Sequence, residues 1–437
     1  MSSNSTPWDV VVIGAGAAGL LAATRSAERG FRTLLLEKNS KPGVKILMSG
    51  GTRCNITHDT DAAGIMKAFG RPGRFLRDAL AALAPHDVVQ LFHAEGVATK
   101  VESTGKIFPA SDRAIDVQQA LINRLHRSGA TLRLKSPVDK IEITSPGFII
   151  HSAGESIASR QLMISTGGQS YPGCGTTGDG YHWLADLGHT IVTPRPSLVP
   201  ITTSLEWLKE LSGVTLPDVT IRVVDRQAWE ARTDLAERIA FARKKSLAER
   251  RGSMLLAHFG VTGPAVLDVS REVTLQPSPH QVLLTADLVP DQTVDQLEEQ
   301  IRAACQAHGS RSIARLLPST IPHRMTEQLL LSVGLIPEQR AAELSRDFRR
   351  RLAATLKGIE IPVTGTRGFA KAEVTAGGVK LDQVDPKSMQ SRLHPGLFIF
   401  GEILDLDGWI GGYNFQSAFS TAWLAAENLS PSSRHSE

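Results

Sequence analysis

The chain has 437 residues, 41% hydrophobic and 21% charged, with a formal net charge of +4; at about 150 residues per domain it divides into two or three units, and its composition excludes a disordered chain. No apolar run approaches the roughly 20 residues that span a bilayer and the start lacks the basic-then-apolar pattern of a secretory signal, so a cytoplasmic protein without a membrane partner is expected. Cys54, Cys174 and Cys305 are odd in number and far apart, which argues against a disulfide framework, a metal site or a dithiol centre and leaves redox work to a bound cofactor.

Residues 9–13 are a short Val-rich run, expected as a strand buried on both faces of a parallel sheet. Gly14-Ala15-Gly16-Ala17-Ala18-Gly19 follows, then an Ala- and Leu-rich stretch over 20–29 that reads as a helix. Gly30 closes that helix, and a second apolar strand over 31–36 ends at Glu37. Between strand and helix, this GxGxxG spacing is a dinucleotide cradle. Gly14 permits the tight turn, Gly16 lets backbone approach a pyrophosphate, and Gly19 lets the helix pack closely on the strand. The free N–H groups and the positive end of the helix face the phosphates. Glu37 is placed to accept hydrogen bonds from a ribose diol and would repel a 2′-phosphate, which disfavours NADP here. The motif serves NAD and FAD alike.

Residues 45–55 read KILMSGGTRCN, with adjacent glycines between Lys45 and Arg53. Such a loop lays its backbone along a second part of an anionic ligand while the two side chains supply positive charge, so the ligand is long. Further on, 74–95 and 115–126 read as helices, and 130–134, 148–151 and 162–166 as strands. The last of these brings Gly167 and Gly168 back to the cofactor. Pro194, Pro196 and Pro200 mark a stiff exit from this domain. Beyond it, 219–224 and 281–287 alternate as a small β-structure does, while 294–307 and 337–356 are helical in period.

The 45–55 run resembles the SGxGRCN motif of a bacterial flavoprotein family described as HI0933-like, BaiN-like or aminoacetone-oxidase-like. Stretches resembling its other signatures follow in order: GKIFPASDRAIDV from Gly105, STGGQSYPGCGTTGDG from Ser165, HFGVTGP from His258, EVTAGGV from Glu373 and GEILDLDGWIGGYNFQ from Gly401. Thr52 stands where the family usually has a third glycine. The resemblance implies FAD, held by Gly14, Gly16, Ala17, Gly19, Glu37, Lys38, Lys45, Ser49, Gly50, Arg53, Cys54 and Asn55, with Val138 at the adenine end. Thr166, Gly167, Gly168, Gly401, Glu402, Asp407, Gly412, Asn414 and Phe415 complete the expected contacts.

The C-terminal signature has its own physical sense. Residues 397–400 are a short strand, and Glu402 just past its end can bind ribityl hydroxyls. Gly412 then opens a helix whose N–H groups would face the flavin N1 and O2 edge, where negative charge develops on reduction. Both chain ends must therefore meet at one cofactor. The expected fold is α/β, with a Rossmann-like FAD-binding domain built from 1–195 and 366–430, an inserted β-structure plus helical cap over 196–365, and a polar tail over 431–437.

No second complete strand-GxGxxG-helix unit exists, so NAD(P)H, if it is the donor, docks transiently. The first functional expectation is reduction or formation of a carbon–carbon double bond beside a carbonyl in a small conjugated substrate, by hydride transfer at flavin N5. Acids or bases considered for the other carbon are Cys54, Cys174, His258, Tyr171 and Tyr413, although His258 reads more readily as a satisfied core histidine. Alternatives are a ribosomal RNA dihydrouridine synthase, an aminoacetone-type amine oxidase releasing peroxide, and a non-catalytic flavin sensor. The RNA reading draws on two basic runs in the insertion. One contains Arg238, Arg243, Lys244, Lys245, Arg250 and Arg251 with a single acid, Glu249, and the other Arg346, Arg349, Arg350 and Arg351. A solvated helical face explains such runs as well.

Overall fold

The structure is a computed structural model that describes residues 6–431; all but Pro431 of the expected polar tail lies outside the described residues. The chain forms two compact units, one running to Pro196 and resuming at Glu373, the other Ser197–Ala372.

The first unit is built on a seven-stranded sheet. Trp8–Ile13 lies parallel between Thr33–Leu36 and Glu155–Ile164, and Thr131–Arg133 extends the sheet beyond Thr33–Leu36. Val10, Val11, Val12, Leu34 and Leu35 have no exposed surface, as continuous apolar strands under helices on both faces require. Each such side chain removed from water stabilises the fold by about 1.5–3 kcal/mol. Glu155–Ile164 is long enough to fork. Its first half pairs antiparallel with Gly147–Ser152, and its last residues pair parallel with Leu397–Ile399, which brings the C-terminal segment into the sheet one strand away from the N-terminal strand. The Ala17–Glu28 helix packs against the closing Tyr413–Glu427 helix and against Ala114–Ser128. This is the α/β, Rossmann-type architecture that the sequence leads one to expect.

The second unit contains a closed antiparallel barrel. In order around it run Ile201–Thr203, Gly260–Thr262, Ala248–Ala257, Thr215–Asp225, Val282–Asp287 and Ile359–Thr366. Ile221, Leu256, Val261, Leu284 and Ile361 fill its core. Closure removes the free edges that a small open sheet would leave. Helices Val294–Ala307, His323–Ser332 and Arg346–Lys357 share that core. No described helix is long and apolar enough to cross a membrane.

Several local expectations are corrected. The single helix over 74–95 is a 3₁₀ turn, Arg71–Leu76, and two helices, Arg77–Ala82 and Pro85–Ala94. Pro85 forces Ala84 into extended backbone and starts a new helix. Pro194 and Pro196 do stand where the chain leaves the first unit, and they lie in strand Ile191–Ser197, in a two-stranded sheet with Val374–Val379, where an edge strand tolerates missing donors. The helix over 337–356 begins only at Arg346, capped by Ser345, whose side chain accepts from Phe348 N. Helices Leu235–Lys245 and His323–Ser332 were missed altogether.

Candidate functional site

The site grows from the turn after Ile13. Gly14 has φ +99°, open to glycine without strain. A Cβ on Gly19 would stand 1.8 Å from Gly14 O, so only glycine lets the helix sit this close to the turn. Gly16 differs: a Cβ there would meet nothing within 4 Å. It is the N-cap of the Ala17–Glu28 helix, with no side-chain cap and no acid in the first turn. Free donors and the positive end of the dipole thus open onto empty space. Both Glu37 oxygens are held by backbone, Oε2 by Ala15 N at 2.8 Å and Oε1 by Asn39 N at 2.9 Å. The carboxylate is fixed at the strand tip with lone pairs to spare. Nearby, at the end of the adjacent strand, Thr166 Oγ1 is buried without a hydrogen-bond partner. Open space at a helix N-terminus, a fixed acid and an unmet hydroxyl together fit the pyrophosphate and ribose of a dinucleotide.

A second cluster joins distant parts of the chain. Lys45 Nζ donates to Glu402 Oε2 at 2.6 Å and to Ser170 Oγ at 2.7 Å, and Ser170 Oγ donates to Glu402 Oε1 at 2.9 Å. Glu402 also accepts from Thr375 N at 3.1 Å, while Thr375 Oγ1 accepts from Gln169 N and Ser170 N. A Cβ on Gly168 would collide with Thr375. Glu373 follows, its carboxyl raised above the usual range by burial; Tyr171 Oη stands 3.5 Å from it. The loop after Gly168 continues toward the Glu37 end, where Asn39 Nδ2 donates to Cys174 O and Lys38 Nζ bonds Thr177 and Asp179. Cys174 thus lies between Asn39 and the Lys45 cluster, close enough to Lys45 and Tyr171 to interact with both. Val138 is half-buried at the start of Val138–Thr144.

Four of the seven residues of the 49–55 loop are left-handed: Gly50, Gly51, Thr52 and Cys54 have φ between +55° and +69°. Arg53 lies 4.1 Å from the Phe108 ring centroid and pairs with Glu102 at 2.7 Å and Asp112 at 3.5 Å, so its charge is taken up by the chain's own carboxylates. Ser49 Oγ turns back to Ile46 O. Cys54 has no open surface and sits in an apolar cluster, and burial pushes its thiol up to about 12. The Asn55 amide, with its oxygen toward Gly412 N at 3.0 Å, ties this loop to the start of the closing helix. There Asn414 holds Gly408 and Trp409 through their backbone, Asp407 is buried, and Phe415 packs 5.9 Å from Phe419. Gly401 lies at the end of Leu397–Ile399 with φ +79°.

Tyr413 opens that helix and stacks on His58 with ring centroids 4.6 Å apart. His58 Nδ1 bonds Gly411 O at 3.0 Å, and burial lowers its pKa, so the ring is neutral at neutral pH. The sequence reading passed over His58, Ser170 and Glu373, although all three lie within or beside stretches it quoted. His258 belongs to the other unit, where it is exposed and lies edge-to-face on Phe259. The core-histidine expectation is thus corrected. Position 258 lies in the turn between strands Ala248–Ala257 and Gly260–Thr262, which breaks the alternation that buries Met254 and Leu256 and would have turned it inward.

A Rossmann-type sheet with this cradle, and with a C-terminal acid that meets Lys45 at the end of the same sheet, defines the chain as an FAD-dependent oxidoreductase. It belongs to the HI0933-like family: the model described as HI0933-like protein Rossmann domain matches residues 8–428. Among curated relatives, a ribosomal RNA dihydrouridine synthase from Escherichia coli is 33% identical, covering 97% of this chain and 98% of its own. A 3-dehydro-bile acid delta(4,6)-reductase from Clostridium scindens is 27% identical, covering 95% and 97%. Of solved structures, a 3-ketosteroid delta1-dehydrogenase from Sterolibacterium denitrificans is 14% identical at a TM-score of 0.48, covering 97% and 99%.

Proposed function

We propose that the protein reduces a carbon–carbon double bond conjugated to a carbonyl, and that its substrate is uridine in ribosomal RNA, converted to dihydrouridine with NAD(P)H as donor. The observation that carries this reading is the likeness, along nearly the whole chain, to two proteins whose names describe one chemistry on different substrates: saturation of a double bond in an α,β-unsaturated carbonyl system. The 33% identity to the ribosomal RNA enzyme favours the nucleobase over the sterol-like substrate.

When bound, FAD supplies hydride transfer at N5. The chain's own groups bind and orient. The N–H groups at Gly16 and Ala17 would hold the pyrophosphate and Glu37 the ribose, while Glu402, held by Lys45 and Ser170, would bind the ribityl hydroxyls. The hydride goes to the β-carbon, C6 of uracil, and the α-carbon, C5, takes a proton. We assign that proton to Tyr413, whose phenol lies at the start of the closing helix against a neutral His58.

The test is mass spectrometry of ribosomal RNA from a strain deleted for this gene, with NADPH and NADH oxidation by the purified yellow protein measured alongside. Loss of one dihydrouridine, restored by the intact gene, is expected. An unchanged nucleoside profile overturns the RNA reading. Saturation of a free enone by the same preparation would then leave the double-bond chemistry standing on a small substrate, and peroxide release from aminoacetone would replace it with the oxidase.

A further inference from the structure

The two basic runs lie more than 90 positions apart in the sequence, yet the second unit brings them together. Helix Leu235–Lys245 packs on helix Arg346–Lys357, and Arg243 is close enough to Lys357 to lower its pKa by charge repulsion, after the larger effect of burial. The structure also sorts the basic residues into two kinds. Arg238 pairs with Glu360 at 2.7 Å, Arg251 with Asp218 and Asp291 at 2.6 Å each, Arg250 with Asp268 at 3.7 Å and Arg349 with Glu298 at 3.1 Å. These serve the fold.

Arg243, Lys244, Lys245, Arg346 and Arg350 are exposed and form no ion pair among the described residues. The first three end one helix. Arg346 and Arg350, four residues and about 6 Å apart, share a face of the other. Asp347 is the one acid within Arg346–Lys357. Elsewhere on this unit Arg226 sits beside Glu230 and Arg302 beside Glu299, whereas Arg311, Arg315 and Arg340 are exposed without an ion pair among the described residues. A surface that evolves only for solubility intersperses its signs; these two packed helices leave five cations without a carboxylate partner, and beside them exposed Arg351 lies over the Phe348 ring.

We infer that these five side chains form a docking surface for the phosphate backbone of structured RNA, separate from the site that handles the base. The inference rests on the uridine reading above. Arginine presents a planar fork of donors that matches phosphate oxygens two at a time, and each neutralised phosphate releases counterions, so binding through such a surface weakens steeply with salt. Contacts of this kind position the substrate and carry no sequence information. Choice of the uridine is thereby left to the flavin-bearing unit.

The experiment uses the full-length flavoprotein, with deproteinised ribosomal RNA from the deletion strain as the probe in filter binding between about 50 and 200 mM salt. Two variants are compared with the parent: Arg243→Glu/Lys244→Glu/Lys245→Glu and Arg346→Glu/Arg350→Glu. Both should keep the parent's flavin content, melting temperature and NADPH-driven flavin bleaching, because none of the five residues lies in the flavin unit. Each should bind the RNA at least ten-fold more weakly, with the slope of log affinity against log salt reduced by roughly one per cation removed. KM for RNA should rise with kcat little changed. If the parent binds and modifies the RNA and the variants match its affinity and slope, the docking surface is wrong and the uridine reading survives. If the parent neither binds the RNA nor yields dihydrouridine, both fall. Retention of the parent on phosphatidylserine vesicles but not on RNA overturns the proposal in favour of a membrane surface.

Discussion

Lys45 Nζ and Glu402 Oε2 stand 2.6 Å apart although 357 positions separate them in the chain. The pair ties the N-terminal half of the first unit to its C-terminal return, and Ser170 and Thr375 complete the bonding of the carboxylate. Removing the lysine leaves a mostly buried acceptor short of its strongest donor. Lys45→Met should therefore lower stability by about 1–3 kcal/mol. Glu402→Gln keeps hydrogen-bonding capacity and should cost less. In urea unfolding the double variant should fall short of the sum by a coupling of about 0.5 kcal/mol or more; strict additivity would show that the contact does not join the two ends energetically.

Two glycines of one motif should fail in different ways. Gly16→Ala has room for its methyl, at φ −76°, and should fold and, compared without cofactor, melt as the cofactor-free parent does. Its methyl fills the space that the pyrophosphate needs, so the purified protein should lose its yellow colour. Gly19→Ala instead drives a methyl to 1.8 Å from Gly14 O, and should lower the melting temperature even without cofactor. Flavin absorbance per protein, read beside circular-dichroism melts, separates the outcomes. A yellow Gly16→Ala protein would contradict the assignment of that space.

Thr52 carries φ +69° in an exposed part of the 49–55 loop. A left-handed backbone costs an ordinary residue about 1–2 kcal/mol, and glycine adopts it freely at an entropic cost of about 0.5–1 kcal/mol. Thr52→Gly should thus gain up to about 1 kcal/mol in chemical unfolding. A loss would mean that its hydroxyl, bonded to Gly51 O at 2.6 Å, matters more than the strain.

Which features could be read in advance follows from where their causes lie. The turn from Ile13 to Ala17 is written locally, in alternating glycines after a Val-rich strand, and the α/β fold class followed from it. The break at Pro85 was also local but was overridden by the apolar period on either side. Pro194 and Pro196 marked the exit from the first unit, but the strand that carries them stayed hidden, because a proline is compatible with an edge strand and edge position is a property of the sheet. Nothing near Arg53 in sequence announces Glu102 or Asp112, nor does Arg238 announce Glu360. Charge partners chosen by tertiary structure decide which basic residues remain available, and a count along the chain cannot sort them.

Buried His189 gives the chain an acid sensitivity. Its Nε2 is 2.8 Å from Ser391 Oγ, and burial first, then the neighbouring His394, lower its pKa. In the unfolded chain it takes a proton near pH 6.5, while the folded chain resists until lower pH. The unfolded state then binds more protons, and stability falls as pH drops below about 6.5. Melting temperatures from pH 7.5 to 5.5 should decline, and His189→Gln, which retains a polar group facing Ser391, should flatten that decline. An unchanged slope would place the sensitivity elsewhere.

Tyr413 tests the chemistry itself. Its ring stacks on His58 at 4.6 Å and meets Trp409 edge-on at 6.3 Å, so Tyr413→Phe preserves the packing and removes only the hydroxyl. Flavin content and stability should hold, and reduction of the enzyme by NADPH should be as fast as in the parent. Reoxidation by ribosomal RNA should slow by about 10²–10⁴-fold, the usual contribution of a positioned acid. His58→Asn removes the stacked ring while leaving the phenol, and should slow the same step to a smaller extent. If Tyr413→Phe instead slows reduction by NADPH and leaves reoxidation untouched, the phenol serves the donor side, and the proton for C5 comes from another group.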